Sequence, residues 1–443
     1  MVWGRRAAPD CMERYCSPAV APGARRAVFF ARVSPLPLLL LQILIIVVAA
    51  RVFGAAARRL GQPSVIGEMA AGIALGPSLL GAAAPAWFAA IFPQASLNVL
   101  HLISQVGVVL FMFVVGLEFK SHHLRGQART AVVVSYVSIL VPFVLGAGAA
   151  FVLYPAHAPP GTTLRAFALF MGISMSVTAF PVLARILAER KMLDTPIGSM
   201  ALTCAAVDDV TAWTLLALVV AFVTTGGALA PVAVTVLLTV LFVVVMMFVV
   251  RPLMQPLLAG SDKSDRASKE RLAVAVALGL AGAIVTDLIG VHSLFGAFVA
   301  GATLPAGDDV RADLRDRLEG FSAVLLLPLF FAFTGLRTQI ALVDDLSSLA
   351  MCLAIIVLAT AGKFGGSAIA ARLTGMSWQN SLVLGALMNT RGLMELIVLN
   401  VGYDLGVISP EIFTVLVLMA LVTTAMTGPL VGLLSRRRGA PVL

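Results

Sequence analysis

The sequence has 443 residues, of which 60% are hydrophobic and 12% charged, and its formal net charge is +9. A soluble core cannot bury so much apolar surface, so the composition excludes an ordinary soluble domain and predicts helices that span a lipid bilayer. The basic residues are spread over short loops instead of forming a patch, which argues against a nucleic-acid partner, and the four cysteines lack zinc-ligand or disulfide-framework spacing.

The first 34 residues differ from the rest of the chain. They contain six arginines and show neither a helical pattern nor a clean signal-peptide cleavage site. We therefore expect residues 1–34 to form a disordered tail.

From residue 35 onward, polar and Gly/Pro clusters divide the chain into about thirteen apolar segments, most of them near the roughly 20 residues that a helix needs to cross a bilayer. Their approximate bounds are 35–57, 63–81, 98–117, 130–153, 165–188, 196–222, 230–254, 270–289, 291–305, 318–336, 346–371, 377–402 and 409–434. The sequence therefore predicts an all-α polytopic membrane protein with about 13 transmembrane helices.

The loops between these segments alternate in charge. Every second loop is basic, starting with Arg58 and Arg59, whereas intervening loops such as 82–97 and 223–230 are almost free of lysine and arginine. By the positive-inside rule, we expect the chain to lie in the inner (plasma) membrane, with its amino terminus outside and its short tail, 436–443, in the cytoplasm. The arginines before residue 35 are unfavourable for an external tail and disagree with this orientation.

Two motifs of the first half recur in the second half. Residues 70–72 (AAG) are matched by 299–301 (VAG), and 110–117 (LFMFVVGL) by 329–336 (LFFAFTGL). An odd number of spans separates the copies, which places them in opposite orientations, as in many secondary transporters. Chance similarity between apolar segments is the alternative.

The spacing of these motifs predicts a single transmembrane domain at 35–435. Within it, a six-helix repeat at about 35–222 and an inverted repeat at about 270–434 are joined by a linking helix at 230–254.

Asp208 and Asp209 lie near the middle of segment 196–222, with about ten mostly apolar residues on either side. Ionisable residues inside a span are costly, so this pair is a functional hypothesis. Adjacent helical residues point about 100° apart, so the two carboxylates can border one cavity and keep different partners. Burial disfavours a charged carboxylate and a nearby cation favours it, so the pair can exchange a proton for a small monovalent cation, with Na⁺ and K⁺ both left open. A purely structural pair, hydrogen-bonded to neighbouring helices, is the alternative.

Lys363 lies inside segment 346–371, on the order of two turns deeper than Arg372. An ammonium group at that depth predicts a carboxylate partner, for which Asp208 and Asp209 are the candidates. A lysine that snorkels to the membrane surface is the competing interpretation.

Segment 165–188 is interrupted by polar residues, including Ser176 and Thr178, and by Pro181. The proline removes a backbone donor and frees an upstream carbonyl. We expect the freed carbonyls and Thr178 to help coordinate a hard cation.

Segment 377–402 is interrupted at the corresponding position of the second half by Asn389, Thr390 and Arg391. Paired interruptions in equivalent spans predict two broken helices that cross at a binding site. Arg391 and Glu395, four residues apart, can pair within their helix, and a structural role for this pair is as compatible with the sequence as a functional one.

Several of these stretches resemble family 2 of the monovalent cation:proton antiporters, whose transmembrane domain is of the sodium/hydrogen exchanger type. They are 67–77 (GEMAAGIALGP), 294–301 (LFGAFVAG), 389–400 (NTRGLMELIVLN) and 404–408 (DLGVI). The resemblance is strongest to the plant and fungal cation/proton exchanger branch. It implies a thirteen-helix fold with a dimerisation domain and a mobile core domain, a homodimer, an elevator-type mechanism and no cofactor.

The resemblance also implies roles for individual residues. Asp209 would be the principal ligand of the cation and the proton, Asp208 would pair with Lys363, and Thr178 would help form the site. An Asp-Asp pair with a lysine is associated in the family with exchange that moves charge.

Two other functions are alternatives for this sequence. A cation channel or a transport-inactive sensor on the same fold is the first alternative. The second, an intramembrane aspartyl protease, needs carboxylates from different helices facing one water, and the adjacent Asp208 and Asp209 cannot supply this arrangement. We therefore expect a transporter and not an enzyme.

Overall fold

The computed structural model describes residues 35–118, 128–193, 195–226, 229–258, 265–304 and 307–436, and within these ranges the regular structure is helical throughout. The expected disordered tail at 1–34 and all but the first residue of the expected tail at 436–443 lie outside them. The helices of the first half are α1 (Pro35–Arg59), α2 (Ser64–Leu75), α3 (Pro85–Ile91), α4 (Gln94–Glu118), α5 (Ala128–His157), α6 (Leu164–Ser176), α7 (Phe180–Glu189) and α8 (Pro196–Thr224).

The remaining helices follow the same chain order. They are α9 (Leu229–Val245), α10 (Arg251–Leu258), α11 (Asp265–Ile289), α12 (Ser293–Thr303), α13 (Asp308–Phe321), α14 (Leu327–Arg337), α15 (Leu346–Thr360), α16 (Gly366–Leu373), α17 (Trp378–Met388), α18 (Leu393–Asp404) and α19 (Pro410–Arg436). Wide π-helical turns join three successive pairs, at Met246–Val250, Ser322–Leu326 and Ala361–Gly365.

Eleven helical stretches of the described chain are long and apolar enough to cross a membrane, and the bent pair α17 and α18 brings the number to twelve. Helix α12, which corresponds to the expected span at 291–305, is apolar but has only 11 residues. The all-α polytopic architecture is confirmed, and the count of thirteen spans stays a prediction.

The described helices pack into two groups. In the first group, α1 and α14 pack against α2, while α12 and α14 pack against α4. In the second group, α5 packs against α6, α8 and α16, and α19 packs against α15, α17 and α18. Contacts between the groups are sparse, and α9, the expected linking helix, touches α8 of one group and α11 of the other.

Glycines of the repeated motifs show how the two halves fit together. Gly72 of α2 packs on α14 so closely that an added Cβ would lie 2.6 Å from the Cα of Ala332, and Gly335 packs back against Gly72. The equivalent pair is Gly301 of α12 and Gly116 of α4, where an added Cβ would collide with the backbone of the facing helix. The second helix of each repeat therefore packs on the third helix of the other, the relation that two inverted repeats produce.

The two broken helices meet at their breaks. The first break separates α6 from α7, and the second separates α17 from α18, which are bent by 43°. The backbone N–H of Ala179 donates to the backbone carbonyl of Thr390 at 3.1 Å, so one break hydrogen-bonds to the other. Gly392 adopts φ +146°, and an added Cβ would lie 2.9 Å from Val182 Cγ2, so the second break requires glycine.

Two expected loops contain helices. Most of the predicted basic loop after segment 291–305 forms α13, and the predicted loop at 82–97 contains α3. Helix α13 is amphipathic: Leu314 and Leu318, four residues apart, are buried, and the other faces are charged. Arg317 and Asp313 on the charged side form a pair four residues apart at 2.8 Å. The loop prediction was wrong here because it relied on mean hydropathy, which does not detect a helix with one narrow apolar stripe.

Candidate functional site

The site lies where α8 passes the two breaks. Lys363 belongs to the wide turn Ala361–Gly365 between α15 and α16. An added Cβ on the neighbouring Gly362 would lie 3.1 Å from the Cα of Pro142 in α5, so this glycine lets the wide turn approach α5 closely. The lysine thereby reaches the polar face of α5 and the aspartates of α8.

Asp208 accepts three hydrogen bonds through one of its two carboxylate oxygens. Its Oδ2 accepts hydrogen bonds from Ser138 Oγ at 2.8 Å, from Thr178 Oγ1 at 2.7 Å and from Lys363 Nζ at 3.0 Å. The side chain is fully buried. The bond from the ammonium group is charge-assisted, and the lysine balances the charge of this buried carboxylate.

Lys363 is fully buried as well, so the snorkelling interpretation is wrong. Besides Asp208, its ammonium donates to the backbone carbonyl of Ser176, the last residue of α6, and lies 3.4 Å from Ser138 Oγ. The expected contact between the lysine and an aspartate is present, and the aspartate is Asp208. The ammonium group of Lys363 thus neutralises both the Asp208 carboxylate and the negative carboxyl end of α6.

Asp209 has a different environment from its neighbour. Only 2% of the residue is exposed, yet neither carboxylate oxygen accepts a hydrogen bond of good geometry from the described residues, although the backbone N–H of Phe180 at the start of α7 lies near. Thr178, which the resemblance assigned to the ion site, bonds to Asp208 instead of Asp209. The Asp209 carboxylate is therefore a buried acceptor without an ion-pair partner or a side-chain donor among the described residues.

Arg391 and Glu395 form a second buried pair, with Nη1 and Oε1 separated by 3.5 Å and both side chains fully buried. The guanidinium also donates to the carbonyl of Ser174 at 3.2 Å and to that of Met175 at 2.7 Å. These carbonyls belong to the last turn of α6, where the helix has its negative end.

This arrangement revises the expectation that freed carbonyls of the first break would coordinate the cation. The last three carbonyls of α6, those of Ser174, Met175 and Ser176, accept hydrogen bonds from Arg391 or Lys363. Resident cations of the protein neutralise this helix end.

The other residues of the first break have local structural roles. The hydroxyl of Ser176 donates to the carbonyl of Gly172 at 2.7 Å and to that of Ile139 at 3.1 Å. Pro181 lies in the first turn of α7, where the missing N–H has no helical partner to lose. In the described part of the chain, neither side chain forms a hydrogen bond with Asp208 or Asp209.

The second break is held from α19. Thr390 Oγ1 donates to the carbonyl of Leu387 at 2.7 Å and lies 3.4 Å from Thr427 Oγ1. Thr424 both accepts from the backbone N–H of Arg391 and donates to its carbonyl. Asn389 is fully buried, and its amide finds no partner among the described residues, the two aspartates included.

Ser138 is a site residue that the sequence analysis missed. It donates to Asp208, and its neighbour one turn earlier, Ser135, donates to the carbonyl of Cys204 at 2.6 Å. Two serines three residues apart share one face of a helix, so this spacing in an apolar span was the available signal. It marks the stripe by which α5 contacts α8.

The chain matches one known family over most of its length. The family model described as sodium/hydrogen exchanger, transmembrane, matches residues 43–437, which is most of the chain. This chain belongs to the sodium/hydrogen exchanger family. The similarity to plant and fungal cation/proton exchangers is confirmed by the relatives described next.

Several relatives of this exchanger are named as antiporters, and none of those is named as an enzyme. The Na⁺/H⁺ antiporter NhaS4 of Synechocystis is 42% identical over 89% of this chain and 96% of its own length. Cation/H⁺ antiporter 19 of Arabidopsis thaliana is 39% identical over 92% of this chain, and K⁺/H⁺ antiporter 1 of Saccharomyces cerevisiae is 33% identical over 90%. This chain spans about half the length of those two proteins, 51% and 46% respectively.

The fold of this exchanger is also that of a solved structure. The sodium proton antiporter MjNhaP1 of Methanocaldococcus jannaschii aligns with a TM-score of 0.66, covering 91% of this chain and 99% of the other, at 14% sequence identity. At that identity the comparison supports the fold and not the details of the site.

Proposed function

We propose that this exchanger carries a monovalent cation, Na⁺ or K⁺, in one direction across the membrane and protons in the other. Asp209 is the group that binds both in turn, and Asp208 borders the same site. The observation that carries the proposal is the contrast between two adjacent carboxylates: Asp208 pairs with a lysine and accepts three hydrogen bonds on Oδ2, whereas Asp209 has neither an ion pair nor a side-chain donor among the described residues.

The charge balance of the interior supports this role. The charged side chains that are buried in the described chain are Asp208, Asp209, Lys363, Arg391 and Glu395. Lys363 pairs with Asp208 and Arg391 pairs with Glu395, which leaves Asp209 without a counter-ion. An ionised carboxylate in a dry interior costs several kcal/mol, so Asp209 is stable when a proton or a metal cation neutralises it. Competition between the two ligands for one carboxylate is the basis of exchange.

The lysine allows the exchange to move charge. In the proton-loaded state Asp209 is neutral, and Lys363 and Asp208 form their pair. When the cation binds between the carboxylates, Asp209 releases one proton and Lys363, displaced from Asp208, releases another. Two protons are then exchanged for one cation, so one net charge crosses the membrane in each cycle.

The two helix groups supply the moving parts of the proposed elevator-type mechanism. The second group carries all five buried charged side chains and both breaks, and it makes sparse contacts with the first group. Movement of the second group along the first, with α9 as the linking helix, would expose Asp209 to one side and then the other. Residues 35–435 form the transmembrane domain in which this movement takes place.

The proposal includes two candidates for the transported cation, Na⁺ and K⁺. Relatives are named for sodium, for potassium or for cations in general, so both ions are candidate substrates. Selectivity depends on cavity size and ligand number.

We also propose an orientation and an assembly. The alternating basic loops place the amino terminus outside the cell and the carboxyl terminus in the cytoplasm, with the chain in the inner membrane. Two spans are little buried within the chain. In an apolar 18-residue stretch of each span, 11% is buried in Ala230–Leu258 and 17% in Leu36–Arg59. Such faces are available to lipid and to a second copy in a homodimer.

The test is proton flux that depends on an added cation. Reconstituted chain in vesicles with a trapped pH dye should move protons when Na⁺ or K⁺ is added outside, and lithium and rubidium salts define the selectivity. Proton flux of the same size without any added cation would show a channel and refute exchange.

A further inference from the structure

A cluster of polar side chains joins the two helix groups at the end of the bundle opposite the basic loops, here called the outer end. We infer that His101, Arg337, Asn400 and Asp404 form a latch that closes the outer end and must open once in each transport cycle. The inference rests on the proposed exchange by movement of the second helix group, and it assigns the residues that decide which side the ion site faces.

Four polar contacts of this latch cross between the groups. Arg337 at the end of α14 pairs with Asp404 of α18, with Nη1 and Oδ1 separated by 2.7 Å, and donates to Asn400 Oδ1 at 3.1 Å. The Asn400 amide in turn donates to Thr334 Oγ1 of α14 at 2.9 Å. His101 Nε2 of α4 lies 3.6 Å from the other carboxylate oxygen of Asp404.

The arginine is held in place by aromatic rings from both groups. Its guanidinium lies 4.3 Å from the ring centroid of Phe333 in α14 and 5.2 Å from that of Tyr403 in α18. The imidazole of His101 stacks on Phe333 with centroids 4.6 Å apart. A guanidinium ordered by rings loses less freedom when it pairs, so the contact with Asp404 is stronger than that of an ordinary surface ion pair.

The latch borders a small cavity. The cavity lined by His101, Gln105, Asn400, Asp404 and others has a volume of about 20 Å³, enough for about one water molecule. Arg337 and Asp404 are 19% and 33% exposed at their side chains, so the pair lies between this cavity and the solvent. A space of this size is too small for a hydrated cation.

The arrangement also explains why the latch can open. An ion pair that is partly exposed contributes less than a buried one, because water takes over both charges when it separates. The buried pair of Lys363 and Asp208 joins elements of the same helix group, whereas Arg337 and Asp404 belong to different groups. Movement of one group along the other therefore breaks the latch and leaves the ion site intact.

The first test measures access to the cavity instead of transport. Val108 lines the cavity and is 1% exposed, so a cysteine in its place reports on opening of the outer end. In vesicles, Arg337→Gln and Asp404→Asn should each let a membrane-impermeant maleimide label that cysteine about tenfold faster, the change that a loss of about 1.4 kcal/mol produces. The charge-swapped double variant, Arg337→Asp with Asp404→Arg, should restore slow labelling.

The matched control for this labelling is Asp345→Asn, which changes an exposed carboxylate that caps α15 and leaves the latch intact. Labelling should stay as slow as in the parent chain. Equal labelling rates in the parent, the control and both latch variants would refute the latch.

The second test does not depend on the folding of charge variants. Thr334 and Asn400 face each other across the groups, so cysteines at both positions can form a disulfide that locks the outer end. Oxidation of the double variant should stop cation-dependent proton flux, and a reducing agent should restore it, whereas each single-cysteine variant should be insensitive to the oxidant. Undiminished flux through the cross-linked chain would overturn the inference. If no variant or parent exchanges cations at all, the proposed function fails, and the labelling test still decides the latch.

Discussion

The ammonium group of Lys363 lies 3.0 Å from a carboxylate oxygen of Asp208, and both side chains are fully buried. Removing either partner strands a charge, so Lys363→Ala and Asp208→Asn should each lower the free energy of unfolding by about 3–5 kcal/mol. Combining them should recover part of that loss, because neither charge is then stranded. Unfolding of the purified single and double variants measures the coupling. Strictly additive losses would mean that the two charges do not depend on each other.

Lys363→Ala also tests the proposed movement of charge. Without the lysine only Asp209 exchanges its proton, so one proton should be exchanged for one cation and the current should disappear. Membrane potential in reconstituted vesicles, measured with a voltage-sensitive dye during cation-driven flux, reports the change. A variant that transports and still generates the parent's potential would show that Lys363 keeps its proton throughout the cycle.

Asp209→Asn should abolish exchange without unfolding the protein. The amide keeps the volume of the side chain and can neither ionise nor release a proton. Cation-dependent proton flux should fall to the level of protein-free vesicles, while the melting temperature stays within about 3 °C, the equivalent of about 1 kcal/mol. The exposed Asp345→Asn serves as the matched control and should transport normally. Normal flux in a folded Asp209→Asn variant would remove this residue from the mechanism.

Gly392→Ala should destabilise the second break. An alanine must adopt φ +146° and place its Cβ 2.9 Å from Val182, which we expect to cost about 1–3 kcal/mol. Gly148→Ala is the control, because this glycine lies on an exposed face of α5 where an added Cβ meets nothing within 4 Å. The control should stabilise the protein by up to about 1 kcal/mol. Equal melting temperatures for the two variants would show that the break tolerates a side chain.

The orientation can be tested by cysteine labelling. Lys263 belongs to the predicted cytoplasmic loop at 255–269 and lies outside the described residues. Lys263→Cys should react with an impermeant maleimide only in inverted vesicles, whereas Ala83→Cys, at an exposed position of the predicted outer loop 82–97, should react only in intact cells. The reverse labelling pattern would mean that the chain has the opposite orientation and that the proposed latch lies on the cytoplasmic side.

The sequence predicted the position of the site better than its contacts. Asp208, Asp209 and Lys363 were identifiable because a charge within an apolar span is costly and stands out. Which aspartate pairs with Lys363 could not be derived from the sequence. The two aspartate side chains point in different directions from α8, and which of them faces the lysine depends on how α5 and the wide turn at 361–365 pack. The partnership depends on helix packing across many residues.

The same reasoning explains the breaks and the missed serine. Pro181 and the polar run at 389–391 are visible in the sequence as interruptions of apolar segments, so both breaks could be predicted. The fate of the freed carbonyls could not, because Arg391 reaches them from the other half of the chain. Ser138 was missed because serine is common in apolar spans, and its spacing from Ser135 marks a polar face of α5 without showing that this face meets Asp208.

The reciprocal packing of Gly72 on α14 and of Gly301 on α4 has a consequence for biosynthesis. During synthesis α2 enters the membrane long before α14 exists, and α4 likewise precedes α12. Neither of these helices can bury its glycine face until the second repeat has been inserted beside it. The nascent first half therefore stays unfinished in the bilayer, and the close helix contacts of the first group form only when translation is nearly complete.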